Sequence, residues 1–153
     1  MPIATIKSTF MDLALQEARD AAYRGEIPIG AVIVNSHGKV IASDGNRTEE
    51  LFDPTGHAEI GVIRQACSRL NAPRLPSCSI YVTMEPCPMC ATAISFTRFA
   101  RLYYGASDRK GGGVESGPRI FHQPTCHHAP ELYPGVREQE SAELLKAFFR
   151  ERR

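Results

Sequence analysis

His57 and Glu59 stand two residues apart, and Cys87 and Cys90 three apart, the latter pair interleaved with Pro86 and Pro88. One imidazole and two thiolates are ligands that zinc accepts, and three of them leave its fourth position for water. On the first turn of a helix the cysteine spacing puts both sulfurs on one face. Pro86 and Pro88 suit a helix start, where a missing backbone N–H costs nothing. The N-terminal end of a helix lowers a thiol pKa, and the thiolate is the form that binds zinc. Asp53-Pro54-Thr55-Gly56 reads as a turn from which His57 opens another helix. Two helix N-termini meeting over one metal would unite ligands that are far apart in the chain.

Glu59 lies at i+2 from His57, and residues so spaced on a helix do not share a face. It is therefore read as the group beside the metal's water and not as a ligand. Zinc lowers the pKa of bound water to about 7, so hydroxide is available near neutral pH. A carboxylate beside it can take that proton and return it to a departing amine. This chemistry suits hydrolysis at an amidine-like carbon of a nucleobase ring. The alternative is a closed zinc site that only holds the fold. That would need a fourth protein ligand, for which Cys67, Cys78, Cys126, His127 and His128 are available. A single H-x-E followed by P-C-x-x-C favours the open, catalytic site.

The elements that must position these groups follow from pattern. Ser8 and Thr9 are N-cap candidates for a helix running to about Arg24, with Met11, Leu15, Ala18 and Ala22 as its apolar stripe. Residues 29–34 read as a buried strand, Asn35-Ser36-His37-Gly38 as a turn and residues 39–43 as the return strand. A polar loop with Asp44, Gly45 and Asn46 follows. The helix opened by His57 runs to about Leu70. It has one stripe of Ile60, Ile63, Cys67 and Leu70 and a second of Ala58, Val62 and Ala66, which predicts burial on both sides. Residues 79–83 form a strand leading into the Pro86 segment and a helix that ends near Arg98. Residues 101–104 form the next strand. Residues 106–118 read as an exposed, Gly-rich, basic loop, and 124–135 as irregular. A last helix covers about 140–152, with Leu144, Leu145, Phe148 and Phe149 on its apolar side. Strands alternating with helices imply an α/β fold with helices on both sheet faces.

At 153 residues the chain is read as one domain over 1–153. Hydrophobic residues make up 42% and charged residues 23%, which places it among soluble globular proteins. Five cysteines, an odd number with two in a C-x-x-C, argue for a reducing compartment and against a disulfide framework. No secretory signal and no membrane-length apolar run is visible. Net charge is +1, yet residues 64–119 hold eight basic side chains against three acidic ones. The last eight residues carry Lys146, Arg150, Arg152 and Arg153 against Glu151. Such clusters can follow a phosphate backbone or can form an ordinary solvated face.

The H-x-E and P-C-x-x-C pair is the signature of zinc deaminases, and the chain resembles one branch of that superfamily over nearly its whole length. The likeness includes Pro28-Ile29-Gly30-Ala31-Val32, Gly45-Asn46-Arg47, Asp53-Pro54-Thr55-Gly56-His57-Ala58-Glu59-Ile60 and Tyr81-Val82-Thr83-Met84-Glu85-Pro86-Cys87-Pro88-Met89-Cys90. It continues through Tyr104-Gly105-Ala106-Ser107-Asp108 and the closing Phe148-Phe149-Arg150-Glu151-Arg152-Arg153. The zinc motif alone is shared with cytosine, guanine and CMP deaminases; the flanking segments resemble the bacterial tRNA-specific adenosine deaminases. The resemblance implies a cytidine-deaminase-like three-layer α/β/α sandwich around a five-stranded mixed sheet. It implies a homodimer that deaminates the wobble adenosine in the anticodon stem-loop of tRNA; the reducing compartment read from the cysteines is taken as the cytoplasm. By residue, it implies Zn2+ on His57, Cys87 and Cys90, Glu59 as proton shuttle, and Asn46 bonded to the target nucleoside. Gly56 departs from the Ala expected there, which should loosen the entry to the His57 helix without removing a chemical group.

Several further features carry readings of their own. Asp108, between basic neighbours, cannot attract phosphate; it is read as accepting a hydrogen bond from a ribose 2′-OH, or else as a local turn or an ion pair with Arg109. Gly111-Gly112-Gly113 lacks a P-loop pattern and reads as flexible loop. Phe149 is a candidate to stack on a base, and Phe148 is read as core. Cys126-His127-His128 offers a second metal site only weakly, because adjacent side chains diverge, while Cys67 and Cys78 read as buried small residues. The rival functions are a deaminase of free bases or nucleotides and a non-catalytic RNA-binding subunit. The basic loop and C-terminus speak against the first, and Glu59 against the second.

Overall fold

The computed structural model describes residues 3–152; Arg153 of the basic C-terminal cluster lies outside the described residues, as do Met1 and Pro2. Strand side chains point alternately to two faces, and this alternation sorts the apolar residues into two cores. On strands β1 (Gly30–Val34), β3 (Ser79–Met84) and β4 (Arg101–Ala106), Ala31, Ile33, Ile80, Val82, Leu102 and Tyr104 face one side. They pack there with Ala58, Val62 and Ala66 of helix α2 (Ala58–Leu70) and Ala91 and Ile94 of α3 (Pro88–Thr97). Val32, Val34, Tyr81 and Tyr103 face the other side, against Met11, Ala14 and Leu15 of α1 (Ile3–Tyr23) and Leu144 of α4 (Glu138–Glu151). The result is three layers, α1 and α4 on one face and α2 and α3 on the other.

The sheet order is β2-β1-β3-β4-β5, with β2 at Val40–Gly45 and β5 at Glu131–Tyr133. β1 pairs antiparallel with both β2 and β3, whereas β3, β4 and β5 run parallel, so the sheet is mixed and five-stranded as the resemblance implied. Tyr81, Tyr103 and Tyr133 occupy matching register positions and stack across three strands, their ring centroids 4.3 and 4.7 Å apart. Gly30 sets the distance of α1 from the sheet. A Cβ there would fall 1.9 Å from the carbonyl oxygen of Ala14, so no other residue fits. In the parallel half, α3 follows the C-terminal end of β3, the end of an open α/β sheet where ligands bind.

Several expectations are corrected. Helix α1 starts at Ile3, not at Ser8 or Thr9, because residues 3–7 hold no glycine or proline to stop it. Asp44 and Gly45 belong to β2 and not to the loop after it. Only the Ala58, Val62 and Ala66 stripe of α2 is fully buried; Ile60, Ile63 and Cys67 are half-buried and Leu70 is exposed, since α2 has the sheet on one side only. Residues 124–135 are not wholly irregular. They contain β5, a three-residue strand too short to show a period. The segment 106–118 is not simply an exposed loop, since Gly112, Gly113 and Val114 are buried.

Candidate active site

Both single-residue steps into α2 and α3 are made by would-be metal ligands. His57 is the N-cap of α2 and Cys87 the N-cap of α3, each with extended backbone and neither making a side-chain capping bond. A polar N-cap side chain commonly adds about 1 kcal/mol to a helix; here the two side chains turn instead toward each other. His57 Nδ1 lies 3.6 Å from Cys87 Sγ and 3.5 Å from Cys90 Sγ. With Zn–N and Zn–S bonds of roughly 2.0–2.1 and 2.3 Å, a tetrahedral ion separates such ligands by about 3.6 Å. The donor set and its spacing therefore fit zinc. Among the described residues no fourth His, Cys, Asp or Glu joins these three, so the site is open and the closed structural alternative lacks a ligand. Cys126-His127-His128 forms no second cluster: Cys126 Sγ meets Ser95 Oγ at 3.4 Å, and His128 Nε2 lies 2.8 Å from the Phe99 carbonyl.

The electrostatics divide the two thiols. The Cys90 thiol beside it, then His57, holds Cys87 down to about 4, while the Cys87 sulfur and burial push Cys90 up. The Cys87 contact raises the His57 pKa. Glu59, on the first turn of α2, is 4% exposed and stands beside Cys90 without joining the ligand set. Burial pushes its carboxyl pKa up, the environment of a group that is to hold a proton. By contrast, burial of Cys78 and half-burial of Cys67 only raise their thiol pKa values, which keeps them inert.

Two loops flank these ligands, and buried acids that the motif reading passed over hold both. Residues 46–57 join β2 to His57. Glu26, 2% exposed, accepts the N–H groups of Glu49 at 3.1 Å and Glu50 at 2.8 Å, together with the Thr48 hydroxyl. Asp44 accepts Arg47 Nε at 2.7 Å and Gln65 Nε2 at 3.0 Å. Asn46, in this loop, is buried, its amide reaching Thr48 Oγ1 at 3.5 Å. Gly56 is pinned by its N–H to Asp53 and by its carbonyl to Arg47, so the expected loosening has no room. On the other side, Glu85 is 3% exposed. Its Oε2 accepts the N–H groups of Val114, Glu115 and Ser116, each at 3.0 Å, and its Oε1 accepts Asp108 N–H at 2.9 Å and the Ser116 hydroxyl at 3.0 Å. A charge between a buried strand and a proline was the signal for Glu85: it had to find donors.

Asp108 Oδ1 accepts the N–H groups of Lys110 and Gly111, closing a turn, and no ion pair with Arg109 forms. Its Oδ2 accepts no hydrogen bond among the described residues. The three glycines are packed and not slack. A Cβ on Gly112 would lie 2.4 Å from the Glu85 carboxyl, and one on Gly113 would lie 2.6 Å from Pro88. Phe149 is 48% exposed on α4, in the layer opposite the ligands, beside Lys146 and Arg150. Phe148 is buried, with the Arg152 guanidinium over its ring.

The family profile for the cytidine and deoxycytidylate deaminase zinc-binding region matches residues 4–106. A tRNA-specific adenosine deaminase of Agrobacterium fabrum (strain C58 / ATCC 33970) is 63% identical over 147 residues, 96% of each chain. A structure from studies of A-to-I editing by tRNA:A34 deaminases at the wobble position of transfer RNA superposes with a TM-score of 0.88. It is 64% identical and covers 90% of this chain and 99% of its own. Guanine deaminase from Nitrosomonas europaea, 18% identical with a TM-score of 0.80 over 92% of this chain and 83% of its own, shares the fold.

Proposed function

This chain belongs to the cytidine and deoxycytidylate deaminase zinc-binding family, and from that membership we propose that it is a tRNA-specific adenosine deaminase. It is a zinc-dependent hydrolase that converts the wobble adenosine of tRNA to inosine and releases ammonia. The observation that carries the reading is the open His57-Cys87-Cys90 set with Glu59 buried beside it, on a chain so closely related along its length to a tRNA deaminase. The chain works as one deaminase domain over 1–153.

In this reading His57, Cys87 and Cys90 hold the zinc, which when bound acts as a Lewis acid and makes hydroxide available near neutral pH. The target base leaves its stack to enter the site. Glu59 takes the proton of the attacking water at its carboxylate, keeps it because burial favours its protonated form, and gives it to the departing amine. Water's oxygen replaces the exocyclic nitrogen, its second proton moves to the adjacent ring nitrogen, ammonia departs, and Glu59 ends as it began. Asn46 bonds the target nucleoside, Asp108 Oδ2 is left to accept a ribose 2′-OH, and Phe149 stacks on a base of the RNA.

The partner is the tRNA anticodon stem-loop. Charge placement supports this: Glu26, Asp44, Glu59 and Glu85 are buried, while no Lys or Arg is buried among the described residues, so the outer surface is more basic than the net charge of +1. A homodimer is the assembly proposed. Phe96, 71% exposed on α3 beside a cavity of about 160 Å³ lined by Thr92, Ser95 and Cys126, is an apolar patch that a second copy would cover. No described helix is long and apolar enough to cross a membrane. The cytoplasm is the proposed compartment, where reducing conditions keep the five free cysteines as thiols.

The test is mass spectrometry of products after incubation with an anticodon stem-loop bearing a wobble adenosine, with free adenosine, cytosine and guanine in parallel. Inosine in the stem-loop alone is expected. Conversion of a free base with the stem-loop untouched would overturn the substrate while leaving the zinc chemistry in place.

A further inference from the structure

Glu85 sits between the last residue of β3 and the Pro86-Cys87 step into α3, where no part of the hydrolytic chemistry requires a carboxylate. It is nevertheless buried, and five donors from one loop converge on it: the N–H groups of Asp108, Val114, Glu115 and Ser116, and the Ser116 hydroxyl. Hydrogen bonds to an ionised acceptor contribute roughly twice what neutral ones do. The same loop is tied to the metal-ligand segment by Gly113 N–H donating to the Pro86 carbonyl at 2.8 Å. Gly112 and Gly113 are the residues that let it come this close; a side chain on either would strike Glu85 or Pro88. The inner residues 112–114 are thereby buried, while Arg109, Lys110 and Gly111 stand out into solvent.

We propose that Glu85 is a positioning residue for tRNA deamination. Its carboxylate fixes residues 108–116 against the start of α3, and so fixes where Asp108, Arg109 and Lys110 meet the RNA relative to Cys87 and Cys90. The proposal rests on the tRNA-deaminase reading. It differs from a purely structural role in its consequence: misplacing this loop weakens substrate capture more than it damages the metal site or the fold. A glutamine at this position keeps the size of the side chain but presents an NH2 group to donors that need an acceptor.

The experiment compares wild type, Glu85→Gln and Gly112→Ala for zinc content, thermal midpoint, and kcat and KM on the anticodon stem-loop. The wild-type arm settles the underlying reading separately, since editing by wild type stands whatever the variants do. Expected for Glu85→Gln is one zinc per chain, kcat within about threefold of wild type and KM raised about tenfold or more. Gly112→Ala displaces the loop with the carboxylate intact and should reproduce the KM effect even if Glu85→Gln folds poorly. Unchanged KM in both variants would overturn the proposal, as would loss of zinc and kcat with KM unchanged.

Discussion

Glu59 differs from the other buried acids in its surroundings. Four described carboxylates are buried, and three of them, Glu26, Asp44 and Glu85, are occupied by backbone or side-chain donors. Glu59 alone stands beside the ligand pair, with its pKa raised by burial. Replacing it with Ala should leave one zinc per chain and lower kcat by roughly 10²–10⁴-fold, the usual span of general acid–base catalysis. Metal analysis and single-turnover assays read both quantities, and substantial residual turnover would remove Glu59 from the mechanism. Asp108 commits one oxygen to a turn and leaves the other without a hydrogen bond among the described residues. Asp108→Asn should reduce the preference for RNA over matched DNA by about tenfold, the worth of one hydrogen bond to a charged group. An unchanged ratio would leave Asp108 with its turn alone.

At the level of elements, the candidate metal site is a junction between two helix starts. His57 and Cys87 are both N-caps that forgo capping, so α2 and α3 each begin with a residue whose side chain serves the other helix as much as its own. Zinc removal should therefore cost stability as well as activity. Cys87→Ser is expected to purify without zinc and to unfold at a midpoint about 6 °C or more below wild type, equivalent to roughly 2 kcal/mol for a domain of this size. A metal-free variant with an unshifted midpoint would contradict the bridging role. This junction was legible in the sequence because proline and turn residues mark helix starts. The loops beside it were not. Gly111-Gly112-Gly113 has the composition of a flexible tract, and only the nearness of Glu85 and Pro88 reveals why glycine is needed there.

Among the described residues, folding buries four acids and no Lys or Arg. The near-neutral composition thus conceals a basic exterior, in which Arg109 and Lys110 are exposed beside the site and Lys146 and Arg150 on α4. Binding of the stem-loop should weaken as salt rises, by about 0.7 in the log–log slope for each single-stranded phosphate contact. Replacing Arg109 and Lys110 together by Ala should flatten that slope by roughly 1.4, with zinc content unchanged. A slope equal to that of wild type would place the RNA elsewhere on the surface.

Residue type and local spacing pointed to His57, Cys87 and Cys90 as candidate ligands, to Glu59 as candidate proton carrier and to the alternation of strands and helices, because each motif depends on neighbours within a few positions, while the family was legible from a resemblance along nearly the whole chain. His57-x-Glu59 and Cys87-x-x-Cys90 are of this kind. The tertiary structure decided what depends on distant partners. It pairs β5 as a parallel edge strand, although three residues carry no readable period. It buries one stripe of α2 and leaves the other half-open, because only one side meets the sheet. It turns Glu26, Asp44 and Glu85 from apparent surface charges into anchors, because a buried carboxylate must gather donors wherever the chain brings them, here from more than twenty residues away.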